Sequence, residues 1–129
     1  MSLPKTKDDR RSIRHPLKWK VAVVFDKADN RPTFHGVTHD ISVDGASILT
    51  DLNIYAKQTL TMLLAIPPLH TGQRKTIVEI RARMMYTVLS SEFDCFRIGF
   101  HFESFKGDGR STLEKAMSIR AVMRGIKAE

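Results

Sequence analysis

The feature that most constrains the fold is a strict alternation of apolar and polar side chains, clearest in FRIGFHFESF, residues 96–105. Successive side chains of a β-strand point to opposite faces, so a run of period two can bury one face and expose the other. The apolar face consists of Phe96, Ile98, Phe100 and Phe102, and the other face of Arg97, Gly99, His101 and Glu103. The pattern predicts a half-buried strand.

Five further runs have the character of strands, and turn-forming residues separate them. These runs are LKWKVAVVFD (17–26), FHGVTHDIS (34–42), ASILTD (46–51), QTLTMLLAI (58–66) and TIVEIRARMMYTVL (76–89). The expected core faces are Trp19, Val21, Val23 and Phe25 in the first run, and Val78, Ile80, Ala82 and Met84 in the last. Asp44-Gly45 is a strong signal for a two-residue hairpin, and Pro67-Pro68 ends the fourth run. Short strands joined by short turns predict a small barrel or sandwich.

The period changes after KGDG, residues 106–109, to that of a helix. Apolar residues recur at helical spacing from Ser111 onward, at Ala116, Ile119, Met123 and Ile126. Ser111 followed by Glu114 is a capping-box signature, which predicts the start of the helix. We expect this amphipathic helix to pack on its own barrel, although such a face can also dock on a partner.

Composition narrows the range of partners. The chain has 129 residues, which favours one domain. Its net charge of +7 and pI of about 9.9 favour anionic partners such as a nucleotide, nucleic acid or a lipid surface. No apolar run approaches the roughly 20 residues of a membrane helix, and the N-terminus has no secretory apolar region. Cys95 is the single cysteine, so we expect no internal disulfide and a cytoplasmic location.

Motifs for catalysis and for metal binding are absent from the sequence. The five histidines make no zinc pair with Cys95, and there is no HExxH helix, nucleophile elbow or P-loop. His35 and His39 are four apart, but a strand does not bring such a pair together as a helix face would. We therefore expect that the protein is not an enzyme and that it has neither a metal site nor a cofactor.

The stretch THDISVDGAS, residues 38–47, carries a D-x-S-x-x-G arrangement formed by Asp40, Ser42 and Gly45. Residues two apart on a strand share a face, so a carboxylate and a hydroxyl are expected to converge on one spot. Asp40 can accept hydrogen bonds from a base such as guanine, and Ser42 can donate or accept. Gly45 is expected at a positive-φ position of the turn. By composition alone, the same residues are ordinary turn formers.

Upstream, RRSIR places Arg10, Arg11 and Arg14 just before the first strand. A guanidinium offers a planar fork that matches phosphate oxygens or the O6/N7 edge of guanine, and it stacks on flat rings. Without a second motif, such arginines would be read as a solvated basic arm.

Together the two motifs resemble the PilZ domain, a bacterial receptor module for cyclic di-GMP. Arg10 and Arg14 match its R-x-x-x-R motif, Arg11 resembles a frequent extra arginine, and Asp40, Ser42 and Gly45 match D/N-x-S-x-x-G. The resemblance implies a six-stranded antiparallel β-barrel with a C-terminal α-helix. It also implies that the arginines grip the phosphates and guanine faces of the ligand, while the second motif holds a guanine edge. In the family, another arginine at the position of Asp9 favours an intercalated ligand dimer; Asp9 disfavours that mode, but Arg11 could partly replace the arginine, so one or two ligands per chain stay open.

The resemblance predicts a cyclic di-GMP receptor or adaptor that changes conformation on binding and signals to an unidentified protein effector. One alternative is a small basic barrel that binds single-stranded nucleic acid through exposed aromatics, which the assignment of most aromatics to the core disfavours. Another is a PilZ-like interaction adaptor that binds no nucleotide. We expect one domain with three parts: a flexible basic arm over residues 1–16, the barrel over 17–105 and the helix over 106–129.

Overall fold

Six β-strands and one α-helix make up the fold, as seen in a computed structural model that describes residues 13–26 and 31–123. The strands are β1 (Lys20–Val24), β2 (Phe34–Ile41), β3 (Gly45–Thr50), β4 (Leu60–Ile66), β5 (Thr76–Ser90) and β6 (Cys95–Phe105), and the helix is α1 (Gly109–Met123). Each alternating run of the sequence therefore contains a strand.

The strands close into a barrel in the order β1-β2-β3-β6-β5-β4, and every neighbouring pair is antiparallel. Closure depends on β1, which pairs with β2 on one side and with β4 on the other. The prediction of a six-stranded antiparallel barrel with a C-terminal helix is confirmed, and the architecture is a barrel rather than a sandwich.

The inward faces of the strands are the ones that the alternation predicts. The buried residues include Trp19, Val21, Val23 and Phe25 from the first run, Val78, Ile80, Ala82 and Met84 from β5, and Ile98, Phe100 and Phe102 from β6. Phe96 differs, because it is only partly buried. It lies near the start of β6, paired with Leu89, which is 67% exposed. At this point the hairpin extends past the packed core.

The segment before β1 is attached to β2. The backbone of His15 exchanges two hydrogen bonds with that of Ile41, of 2.8 and 3.0 Å. Farther along, the fully buried hydroxyl of Thr38 donates to the carbonyl of Leu17 and accepts from the N–H of Trp19 at 2.8 Å. These contacts fix the base of the predicted arm against the barrel, while residues 1–12 lie outside the described chain. The division at residues 16 and 105 stays a prediction.

Helix α1 begins at Gly109, two residues before the predicted start at Ser111. The Ser111 hydroxyl donates to the carbonyl of Asp108 at 3.0 Å, so it is part of the first turn rather than the cap. No helix in the described residues is long and apolar enough to cross a membrane.

The face that α1 buries differs from the predicted one. Leu113, Ala116 and Met117 pack into the core of the barrel, whereas Ile119 and Met123 are 44% and 67% exposed. The helix carries two apolar stripes, and the helical spacing of apolar residues does not show which stripe packs on the barrel. The prediction is confirmed for Ala116 and wrong for Ile119 and Met123, and Ile126 lies outside the described residues.

Candidate functional site

The two sequence motifs meet through an ion pair between Arg14 and Asp40. The Nη1 atom of Arg14 lies 2.8 Å from Oδ1 of Asp40, across 26 residues of sequence. The backbone pairing of His15 with Ile41 brings their neighbours into reach. The Arg14 side chain is 52% exposed and that of Asp40 is 30% exposed. Ion pairs this exposed contribute only about 0–1 kcal/mol, so Arg14 can leave Asp40 for another anion at little cost.

The hydroxyl that meets Asp40 belongs to Ser47, not to Ser42. Asp40 pairs with Ser47 on β3, and the Ser47 Oγ donates to Oδ1 of Asp40 at 3.0 Å. Both hydrogen bonds seen at this carboxylate in the described chain fall on Oδ1. Within residues 13–26 and 31–123, no donor reaches the other oxygen, Oδ2.

Ser42 holds the β2–β3 turn together. Its side chain is 1% exposed, and its Oγ accepts from the N–H of Asp44 at 3.1 Å and donates to the carbonyl of Gly45 at 3.3 Å. The Ser42 N–H also donates to Gly45 at 2.8 Å. The expectation that the side chains of Asp40 and Ser42 converge is wrong, because β2 ends at Ile41 and the turn redirects the next residue.

The turn itself lies one residue earlier than predicted. Ile41 pairs with Ala46, so the two central residues are Val43 and Asp44 rather than Asp44 and Gly45. Gly45 is the first residue of β3.

Gly45 is required by close packing and not by a positive φ. Among the described glycines, the positive φ values belong to Gly72 and Gly107. A Cβ on Gly45 would lie 2.3 Å from the backbone oxygen of Phe100 on β6. The expectation of a left-handed conformation at Gly45 is therefore wrong. Glycine instead allows two strands to approach closely beside the site.

A row of paired residues continues the site across the outer wall of the barrel. Ser47 pairs with Gly99 on β6, and Gly99 pairs with Tyr86 on β5. The tyrosine ring lies over Gly99, since a Cβ there would be 2.2 Å from a ring atom. Tyr86 is 41% exposed. Along this wall a partly exposed carboxylate and a partly exposed aromatic ring lie on either side of the buried Ser47 hydroxyl. The exposed pair suits a flat, hydrogen-bonding ligand.

Sequence reasoning missed Ser47 and Tyr86. With the turn centred on Val43 and Asp44, Asp40 must face Ser47. Ser47 could have been found from a correct placement of the turn. Tyr86 could not, because an irregularity in the β5–β6 register between Met84 and Tyr86 decides its position. Arg10 and Arg11 lie outside the described residues.

The turn and the arm also border α1. A cleft of about 310 Å³ is lined by Ile13, His15 and Val43 on one side and by Met117 on the other. Nearby, Arg110 of the helix lies 4.0 Å from the carboxylate of Asp44. A displacement of the arm would therefore change the surroundings of the helix. No group of three or more metal-binding side chains occurs within residues 13–26 and 31–123.

A family model, the PilZ domain, matches residues 8–118 of this sequence and so spans both motifs and all six strands. The chain belongs to the PilZ domain family. PilZ domains are receptor and adaptor modules, which the sequence resemblance predicted. No curated protein matches the sequence.

Solved structures support the PilZ fold. The Bacillus subtilis inhibitor of motility MotI/DgrA matches with a TM-score of 0.72 at 11% identity, over 88% of this chain and 52% of the other. The K. pneumonia MrkH–c-di-GMP complex matches with a TM-score of 0.57 at 16% identity, over 90% of this chain and 54% of the other. The chain spans about half the length of each of these proteins, and at such low identity the likeness concerns the fold.

Proposed function

We propose that this PilZ domain is a non-catalytic receptor for cyclic di-GMP. The observation that carries the proposal is the 2.8 Å contact between Arg14 and Asp40, which joins the arginine motif to the barrel motif on an open surface. Membership of the PilZ family supports the proposal. A protein with the same fold, MrkH, forms a complex with c-di-GMP.

In this proposal, Arg14 exchanges Asp40 for the ligand. Its planar guanidinium would bind a phosphate or the O6/N7 edge of a guanine, as would Arg10 and Arg11. The freed carboxylate of Asp40 would accept from the N–H groups of a guanine edge, with Ser47 holding the carboxylate in place.

The β2–β3 turn and the outer wall of the barrel would also contribute to binding. Ser42 and Gly45 would contribute by holding the turn and β3 in the position that presents Asp40. The half-exposed ring of Tyr86 would offer a stacking surface, since base–aromatic stacking contributes about 1–3 kcal/mol per base. Binding would reorganise the arm beside α1, and a protein effector would recognise the changed surface. A cytoplasmic location is part of the proposal.

The test is isothermal titration with cyclic di-GMP, cyclic di-AMP, GTP and a short single-stranded oligonucleotide. We expect saturable binding of cyclic di-GMP and much weaker binding of the others. For cyclic di-AMP the reason is that adenine lacks the donor pattern that Asp40 would recognise. Asp40→Ala should abolish the heat. Asp26→Ala is the matched control, since Asp26 is an exposed aspartate in an ion pair with Arg81 at 3.4 Å elsewhere on the barrel.

Equal heats for cyclic di-GMP and cyclic di-AMP would refute the proposal that Asp40 recognises a guanine edge. Tight binding of the oligonucleotide would favour the single-stranded nucleic-acid barrel instead. Phe25, Phe34, Phe100 and Phe102 lie in the core, where they cannot stack on bases, whereas Tyr55, Tyr86 and Phe93 are exposed. The oligonucleotide titration therefore separates the two functions.

A further inference from the structure

A second groove, of about 610 Å³, lies on the outer face of β1, β4 and β5. It shares no residue with the Arg14–Asp40–Ser47 cluster. Its floor is apolar and consists of Ala22, Leu63, Ala65 and Ile77. The register joins these residues into one patch, because Ala22 pairs with Leu63 and Ala65 pairs with Ile77. Ile77 is 49% exposed, so part of the apolar floor faces water.

The rim of this groove carries positive charge. Lys18 and Lys20 flank it on one side and Lys75 on another, and the described residues that line it include no aspartate or glutamate. The acid that borders the floor is Glu79, which pairs with Leu63 across β4 and β5. Lys106 lies 3.7 Å from its carboxylate and offsets its charge. Within the described chain, Lys20 and Lys75 make no ion pair.

One end of the groove is rigid. Trp19, Pro67 and Pro68 form it. Arg120 of α1 packs 5.2 Å from the Trp19 ring centre and donates to the Pro67 carbonyl. Burial lowers the pKa of the Arg120 guanidinium, although arginine keeps its charge at any physiological pH. The groove is therefore a preformed surface, with its end fixed by contacts to the helix.

We propose that this groove binds an amphipathic α-helix of a partner protein, with an apolar stripe flanked by aspartate or glutamate. The two alanines of the floor keep it low, so that a helix about 10–12 Å wide can approach closely. The apolar floor matches apolar anchors at i, i+3, i+4 and i+7, and the lysine rim matches acidic flanks. A polyanion such as nucleic acid would use the lysines but would gain nothing from the floor.

The proposal stands without the nucleotide function, because the groove and the Arg14–Asp40 cluster share no side chain. The experiment is a selection of displayed helical peptides of about 16 residues, or roughly 24 Å, against the full chain. The selected peptide is then synthesised with a fluorescent label and titrated by anisotropy. We expect acidic amphipathic sequences to be enriched, and reversing their acids to lysines to abolish binding.

Two kinds of variant locate the peptide. Ala65→Trp fills the floor from an outward position and should lower peptide affinity about tenfold or more, as for a central interface position. Lys20→Glu with Lys75→Glu should lower it about as much by reversing the rim. Lys57→Glu changes an exposed lysine of the β3–β4 loop and should have no effect. Circular-dichroism melts verify that each variant is folded.

Several outcomes would overturn the proposal. One is a selection that enriches no acidic amphipathic consensus. Another is equal affinity of the peptide for the wild type and for Ala65→Trp. Binding of a single-stranded oligonucleotide that depends on the lysines but not on Ala65 would identify a polyanion surface instead. Self-association in sedimentation equilibrium that Ala65→Trp abolishes would identify a second copy as the occupant. Arg14→Ala should keep peptide binding while losing cyclic di-GMP, so that failures of the two proposals remain distinguishable.

Discussion

Replacing Gly45 tests whether strand packing explains the last position of the D-x-S-x-x-G motif. A methyl group at Gly45 would put its Cβ 2.3 Å from the backbone oxygen of Phe100. Carbon–oxygen contacts across strands are normally about 3.3–3.6 Å, so β3 and β6 would have to separate by about 1 Å. The obstacle is backbone, which cannot rotate away as a side chain can.

The expected loss of stability follows from that separation. Overpacking of this kind costs about 1–3 kcal/mol. It also loosens the 2.8 Å hydrogen bond from Phe102 N–H on β6 to Asp44 O, which contributes about 1 kcal/mol. For Gly45→Ala we expect a fall of about 2–4 kcal/mol in the free energy of unfolding. For a chain of this size that lowers the Tm by about 6–20 °C.

The assay is thermal and urea unfolding followed by circular dichroism, with Gly99→Ala as the matched control. There the new Cβ meets the Tyr86 ring, which can swing aside, so we expect a change within about 1 kcal/mol. Gly45→Asn separates close strand packing from a requirement for positive φ as the reason for glycine at this position. Asparagine tolerates positive φ but is larger than alanine, so close packing requires it to destabilise at least as much. A milder effect of asparagine than of alanine would refute the packing argument.

Two further predictions concern the motif arginine and the base of the arm. Arg14→Lys keeps the charge but removes the planar fork, so cyclic di-GMP affinity should fall by about 1–3 kcal/mol, or roughly five- to more than hundredfold, in titration calorimetry. Arg74→Lys, in an exposed loop, is the control, and wild-type affinity in Arg14→Lys alongside a loss in Arg14→Ala would show that charge alone suffices. Thr38→Val leaves the buried Leu17 carbonyl and Trp19 N–H without their partner, which should cost about 2–4 kcal/mol in urea unfolding. Thr38→Ser keeps the hydroxyl and should lose less than half of that, and equal losses would mean that the methyl group, not the hydrogen bonds, matters.

The sequence predicts the strands well because each has one buried face, and burial imposes the period of two directly on the residues. The turn is less predictable. Asp44-Gly45 has the composition of a hairpin turn, yet glycine at position 45 satisfies a strand in contact with β6, which is distant in sequence. A turn predicted one residue too late gives Asp40 the wrong partner, Ser42 instead of Ser47.

The helix illustrates a different limit of sequence reasoning. Both Leu113–Met117 and Ile119–Met123 offer apolar stripes, and only the geometry of the barrel end determines that the first one is buried. The meeting of Arg14 with Asp40 was foreseeable solely through the resemblance to a family. No local pattern shows that a segment before β1 pairs with the end of β2.

Closure of the barrel has a consequence for how another protein can bind. Each of the six strands has a hydrogen-bonded neighbour on both sides, so the ladders offer few free N–H and C=O groups. The part of β5 beyond Ala82 lacks β4 as a neighbour. There the Thr87 hydroxyl donates to the Ile54 carbonyl at 2.6 Å, and the Ala56 N–H donates to Met84 Sδ at 3.3 Å. These contacts use the side chains of β5 and not its backbone, so open edge in the described barrel is concentrated in this part of β5. A partner could add a strand there, and elsewhere it must recognise side chains on the outer walls.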